Sequence, residues 1–144
     1  MIDRYFIAHE VRNDFEKEFV SLFDGWLGEQ NLYRLDEVRE QEWQKFNTLL
    51  RMLAGKYEIF AVNLGDRSCC KVTDVESIIP TYEEDMNRGS DQFIRIIISE
   101  LDVIFMEDWD YTWILWYRER EAVHALAPMI ANAGLFHFSD WEQS

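Results

Sequence analysis

Glu107, Asp108 and Asp110 crowd around Trp109, the densest grouping of carboxylates and aromatics in the chain. Carboxylates this close can do general acid–base work or gather a hard cation. A calcium loop needs more oxygen ligands at fixed spacing and a glycine at its turn, and this segment supplies neither. Acid–base chemistry needs one carboxyl with a raised pKa, which spacing alone does not create. Two other uses remain, a solvated link between strands or a contact surface for a basic partner. Tyr111 and Trp113 follow directly, and aromatic anchors beside carboxylates suit a contact surface, because such side chains dominate interface energetics. The candidate partner-binding residues are therefore Glu107, Asp108, Trp109, Asp110, Tyr111 and Trp113.

No other grouping offers chemistry of comparable density. His9, His124 and His137 are far apart and lack ligand spacing, which suits structural or surface roles. Cys69 and Cys70 are neighbours, a geometry too strained for a mutual disulfide, and no second pair completes a zinc site. Two free thiols suit a reducing compartment. No serine or cysteine sits in a nucleophile-elbow motif, and no glycine-rich loop resembles a phosphate cradle. The sequence thus assigns no catalytic residue, no cofactor and no metal.

Charge is more informative than any motif. The chain carries 28 acids against 14 bases, a formal net charge of −14. Residues 1–72 hold 13 acids and 10 bases, whereas residues 73–144 hold 15 acids and only Arg88, Arg95, Arg118 and Arg120. A field of this sign repels nucleic acid and anionic membranes and attracts cationic partners. The acids of residues 74–91 and 107–110 are expected to join in one negative patch. Apolar residues at 48% and aromatics at 15% exclude intrinsic disorder. The Met1 start leads into no signal-like stretch, and apolar runs such as Ile96 to Ile98 are too short to span a membrane. The expectation is a soluble, cytoplasmic protein.

In size, acidity and lack of catalytic motifs, rather than in any motif, the chain is similar to bacterial immunity proteins and antitoxins. That similarity implies a small cytosolic protein that neutralises or sequesters a basic protein partner, plugging the active site of a toxin such as a nuclease. Carboxylates then stand where the toxin would hold phosphates, and opposite fields speed the encounter. Two alternatives stand beside it. One is a stand-alone adaptor or regulatory domain whose acidity serves only solubility. The other is a small carboxylate-based enzyme, which a deep cleft holding Glu107, Asp108 or Asp110 would favour.

The elements that must position the cluster follow from apolar spacing. At 144 residues the chain has a one-domain length and buries roughly 70% of its unfolded surface. Val11, Phe15, Phe19, Leu22, Phe23 and Trp26 keep a helical period, so a helix is expected from Glu10 to Trp26. A second is expected from Asp36, as its cap, to Ala54, with Trp43, Phe46, Leu50 and Leu53 inward. Tyr57–Leu64 and Cys70–Thr73 read as strands that pair through a turn. Ser90 or Asp91 could cap a helix through Ile98, although the isoleucines suit a strand equally well. Leu101–Met106 and Tyr111–Tyr117 read as paired strands around the acidic link. A last helix carries Val123, Leu126 and Ile130, interrupted or kinked by Pro128, before Gly134 and a strand from Leu135 to Phe138. The fold class is then α+β, with two N-terminal helices packed on a mixed or antiparallel sheet and a C-terminal helix and terminal strand. Phe15, Phe19, Phe46, Leu50, Phe60, Val103, Phe105, Leu115 and Leu126 are the expected core.

Overall fold

The computed structural model describes residues 1–25, 27–87, 89 and 92–139. Two short strands, β1 (Phe6–Ile7) and β2 (Glu10–Val11), form a small antiparallel pair. Then follow β3 (Glu16–Ser21), a 3-10 segment (Glu29–Glu37) and the long helix α1 (Glu40–Lys56). Next come β4 (Phe60–Asn63), β5 (Ser68–Lys71) and a short helix α2 (Tyr82–Asn87). The chain closes with β6 (Arg95–Ile98), β7 (Val103–Glu107), β8 (Thr112–Tyr117), helix α3 (Arg120–Asn132) and β9 (Phe136–Phe138). Seven strands make one antiparallel sheet in the order β5-β4-β6-β7-β8-β3-β9.

This arrangement overturns the expected layer of two N-terminal helices. Residues 10–25 contribute β2 and β3 rather than a helix, and Trp26 lies outside the described residues. The reason is pairing on both sides. β3 runs between β8, with Glu16 opposite Tyr117 and Ser21 opposite Thr112, and β9, with Phe19 opposite Phe138. Glu18, Phe19, Val20 and Ser21 are all buried, so the strand shows no alternation of apolar and polar residues. Its phenylalanines imitate a helical period, and long-range ladder hydrogen bonds decide the outcome.

The other segments differ from expectation mainly at their ends. α1 begins at Glu40 instead of Asp36, with the Glu42 carboxylate accepting the Arg39 backbone N–H at 3.2 Å. Residues 95–98 form a strand rather than a helix, and Ser90 and Asp91 lie outside the described residues. β4 and β5 pair from Phe60 opposite Lys71 to Asn63 opposite Ser68. α3 runs through Pro128 without a break. Proline donates no amide to the His124 carbonyl, but both residues face solvent, where water can take its place. Gly134, at φ +86°, ends that helix in the left-handed region, and a Cβ there would meet the Lys45 side chain at 3.1 Å.

The core lies on both faces of the sheet. Trp43, Phe46, Leu50 and Leu53 of α1 and Leu126 and Ile130 of α3 cover one face, built from Ile96, Ile98, Phe105 and Leu115. Tyr5, Phe6 and Phe15 cover part of the other, over Ile97 and Ile104. Of the expected core residues, Phe60 alone is only half-buried. Each fully buried large side chain contributes about 1.5–3 kcal/mol relative to exposure, so this double-sided packing is the main source of stability. Among the described residues, no helix is long and apolar enough to cross a membrane.

Candidate functional site

The acidic link is a hairpin connection. β7 and β8 pair from Val103 opposite Tyr117 to Glu107 opposite Trp113, and this leaves residues 108–111 to turn the chain. The Asp108 N–H donates to the Thr112 carbonyl at 2.9 Å and closes the loop. Asp110 and Tyr111 both adopt left-handed backbone, at φ 60° and 56°. Aspartate tolerates that conformation, whereas for tyrosine it is strained. The Thr112 hydroxyl donates to the Asp110 carbonyl and the Ser21 hydroxyl to the Tyr111 carbonyl, and together they pin the strained pair. The result turns Trp109 outward, where it is 59% exposed.

The six candidate residues divide by what they touch. Glu107 holds the fold together: its N–H donates to the Ile94 carbonyl at 2.8 Å, and its carboxylate accepts the Ile94 N–H at 3.0 Å. Trp113 is 7% exposed and stacks on Phe46 with centroids 6.0 Å apart, so it forms a wall of the core. Tyr111 is half-buried against α2, its hydroxyl 3.7 Å from the Met86 sulfur. Burial pushes its phenol up to about 12, helped by Tyr82 and by the Asp85 and Asp36 carboxylates. Trp109 packs edge-on against Phe93. Among the described residues, nothing donates to the side chains of Asp108 or Asp110, and no cation pairs with them.

Two clefts flank the link. One, of about 200 Å³, runs between the link, α1 and α2, with Trp43, Asp85, Phe93, Asp108, Trp109 and Tyr111 among its walls. The other, of about 170 Å³, lies toward the 3-10 segment and is lined by Phe23, Leu27, Leu32 and Leu35. Asp108, Trp109, Asp110 and Thr112 belong to both, so the link is the partition between them. Leu32, Tyr33, Met86 and Trp109 are the exposed apolar side chains of the 3-10 segment, α2 and the link.

Asp85 and Phe93 matter here although the sequence did not single them out as site residues. The Asp85 carboxylate accepts the Trp43 indole N–H at 3.0 Å, which fastens α2 to α1 and sets that acid in the cleft. The expected negative patch therefore joins the link to Asp85. Glu76 instead pairs with Arg51 at 2.9 Å, and Asp74 accepts the Glu76 N–H at the start of a 3-10 turn. Trp43 lies 42 residues from Asp85 in the chain and gives no local sign of an acidic partner, so only the fold brings Asp85 to the cleft.

A second ionised cluster sits at the far edge of the sheet. Glu18 is 4% exposed and accepts from Arg120 at 2.5 Å and from His137 at 2.6 Å. The His137 hydrogen bond foremost, with Arg120, holds its carboxyl below the usual range against the opposing effect of burial. The three join β3, α3 and β9, a structural role for His137. Cys69 and Cys70 are free thiols. Among the described residues, no group of three or more histidine, cysteine, aspartate or glutamate side chains could hold a metal ion.

No protein-family model matches this chain, no curated protein is similar to it, and no solved structure matches it.

Proposed function

We propose that this chain is an acidic binding protein that sequesters a basic protein partner, in the manner of an immunity protein or antitoxin that blocks a basic toxin. One observation supports the reading above others: Trp109 stands exposed between two clefts with the unpaired carboxylates of Asp108 and Asp110 beside it. An exposed indole on a strained loop is costly in isolation and useful as an anchor. Carboxylates at the rim speed encounter with a cationic surface, and the net charge of −14 extends that attraction beyond contact distance. The apolar second cleft offers a neighbouring pocket for a side chain of the same partner.

The cleft that holds Glu107, Asp108 and Asp110 also favours a small carboxylate-based enzyme as the second reading. In that case Glu107 has little freedom, since its carboxylate is fixed on the Ile94 amide.

Affinity capture from native lysate tests the proposal, with the native chain compared with Trp109→Ala and with Asp108→Asn/Asp110→Asn. The expected result is a basic protein retained by the native chain and weakened by both variants. Capture of neutral or acidic proteins only, or of a basic protein indifferent to both variants, contradicts it.

A further inference from the structure

We infer that the cleft between β4 and β6 binds a small monocarboxylic acid with an apolar tail, held through Arg95. The site is separate from the link and goes beyond its reading as a partner surface. β4 pairs with β6 only from Phe60 opposite Ile97 to Ala61 opposite Ile96. Beyond that point Val62 and Asn63 on one strand and Arg95 on the other line a cleft of about 660 Å³ instead. His9, from the turn between β1 and β2, and Gln92 and Phe93, just before β6, are among its other walls. A space of this order suits a small-molecule ligand.

These walls gather hydrogen-bond donors in a strongly acidic chain. Arg4, Arg51, Arg67, Arg118 and Arg120 each pair with a carboxylate. Among the described residues no carboxylate pairs with Arg95, whose head makes one hydrogen bond, from Nη1 to the Phe93 carbonyl at 3.4 Å. Its Nε is buried with no acceptor among the described residues, which is unfavourable for a guanidinium N–H. The head therefore gains by turning toward an oxyanion in the cleft, where its planar fork matches a carboxylate. The Asn63 Oδ1 accepts the Gly65 and Asp66 amides at 2.9 and 3.4 Å, which leaves the amide nitrogen of that side chain as a donor. The Gln92 carboxamide and either tautomer of the His9 imidazole add further N–H groups. One guanidinium balances one negative charge, and a net charge of −14 opposes a second, so a carboxylate fits better than a phosphate ester. Val62 and Phe93 give the apolar tail a wall.

The test titrates the full chain with phenylacetate, with phenylacetamide, which keeps the shape and lacks the charge, and with phenyl phosphate. The backbone amide signals of Val62, Gln92 and Phe93 are followed by two-dimensional NMR. The expected result is a saturable shift at these amides with the carboxylate, none with the neutral amide, and binding of the phosphate at least about fivefold weaker. Arg95→Lys keeps the charge and loses the planar fork, so it should weaken the carboxylate about tenfold. Gln92→Ala changes an exposed position and should weaken it about threefold with the fold intact. Melting temperatures near that of the native chain identify both variants as folded. Equal shifts from carboxylate and neutral amide, tighter binding of the phosphate, or a carboxylate affinity unchanged in both variants overturns the inference.

Discussion

The ring of Phe93 meets the indole of Trp109 edge-on, with centroids 4.8 Å apart and planes at 69°. Phe93 lies just before β6 and Trp109 in the link after β7, so the contact fastens the link to the neighbouring strand's approach. Such pairs contribute about 0.5–1.5 kcal/mol beyond their buried area. Here that contribution holds an exposed side chain in place rather than burying it. A fixed aromatic loses little freedom on binding, which is what an anchor requires.

Strain in the link should trade stability against binding. Asp110 sits at φ 60° with Tyr111 at 56°, a conformation glycine adopts without cost. Asp110→Gly relieves steric strain and adds freedom to the unfolded chain, for a net stabilisation of about 0.5–1 kcal/mol. The same change removes a rim carboxylate and should slow association with a basic partner. Denaturant melts and binding kinetics on one preparation check both halves. A destabilised variant would show that the aspartate side chain shapes the turn.

Acid should loosen the far edge of the sheet. The Glu18 carboxyl is held below its ordinary value of 4.5 by His137 first and then by Arg120. A depressed folded pKa stabilises the fold above the unfolded value, and that contribution is lost as pH falls below about 4.5 toward the folded one. Glu18→Gln should cost about 1–3 kcal/mol at neutral pH, as loss of hydrogen bonds to a buried charged group does. It should also flatten the decline of stability in acid. Urea melts between pH 7 and 3 measure both effects, and parallel acid curves for the two proteins exclude this role for Glu18.

Phe46 links the helix layer to the strand that carries the site. It is buried on α1 and stacks on Trp113 of β8 with planes at 15°. Phe46→Ala should destabilise by about 3–5 kcal/mol, the usual cost of truncating a core aromatic. A loss below about 1 kcal/mol would mean that α1 does not close over β8 as described.

What the sequence made legible depended on how local the cause was. α1 was readable because Trp43, Phe46, Leu50 and Leu53 repeat along one face, and all are buried. The β7–β8 hairpin was readable because its strands are neighbours in the chain, with Val103 opposite Tyr117. β3 was not, because its partners lie about a hundred residues away at Tyr117 and Phe138 and bury Glu18 along with its apolar neighbours. In the site, the link residues themselves stood out by composition. That Trp113 would turn inward, that Glu107 would clamp Ile94, and that Asp85 would join the cleft each depended on register or tertiary packing. No local pattern encodes those.

The most direct test of the account measures association and dissociation rates of the captured basic partner at low and moderate salt. Asp108→Ala/Asp110→Ala should slow association and weaken its salt dependence, because rim charges act mainly on encounter. Trp109→Ala should instead speed dissociation, with a loss of about 2 kcal/mol or more, as for an anchor residue at an interface centre. Rates unchanged by all three substitutions would contradict the claim that the link between the two clefts is where this protein meets its partner.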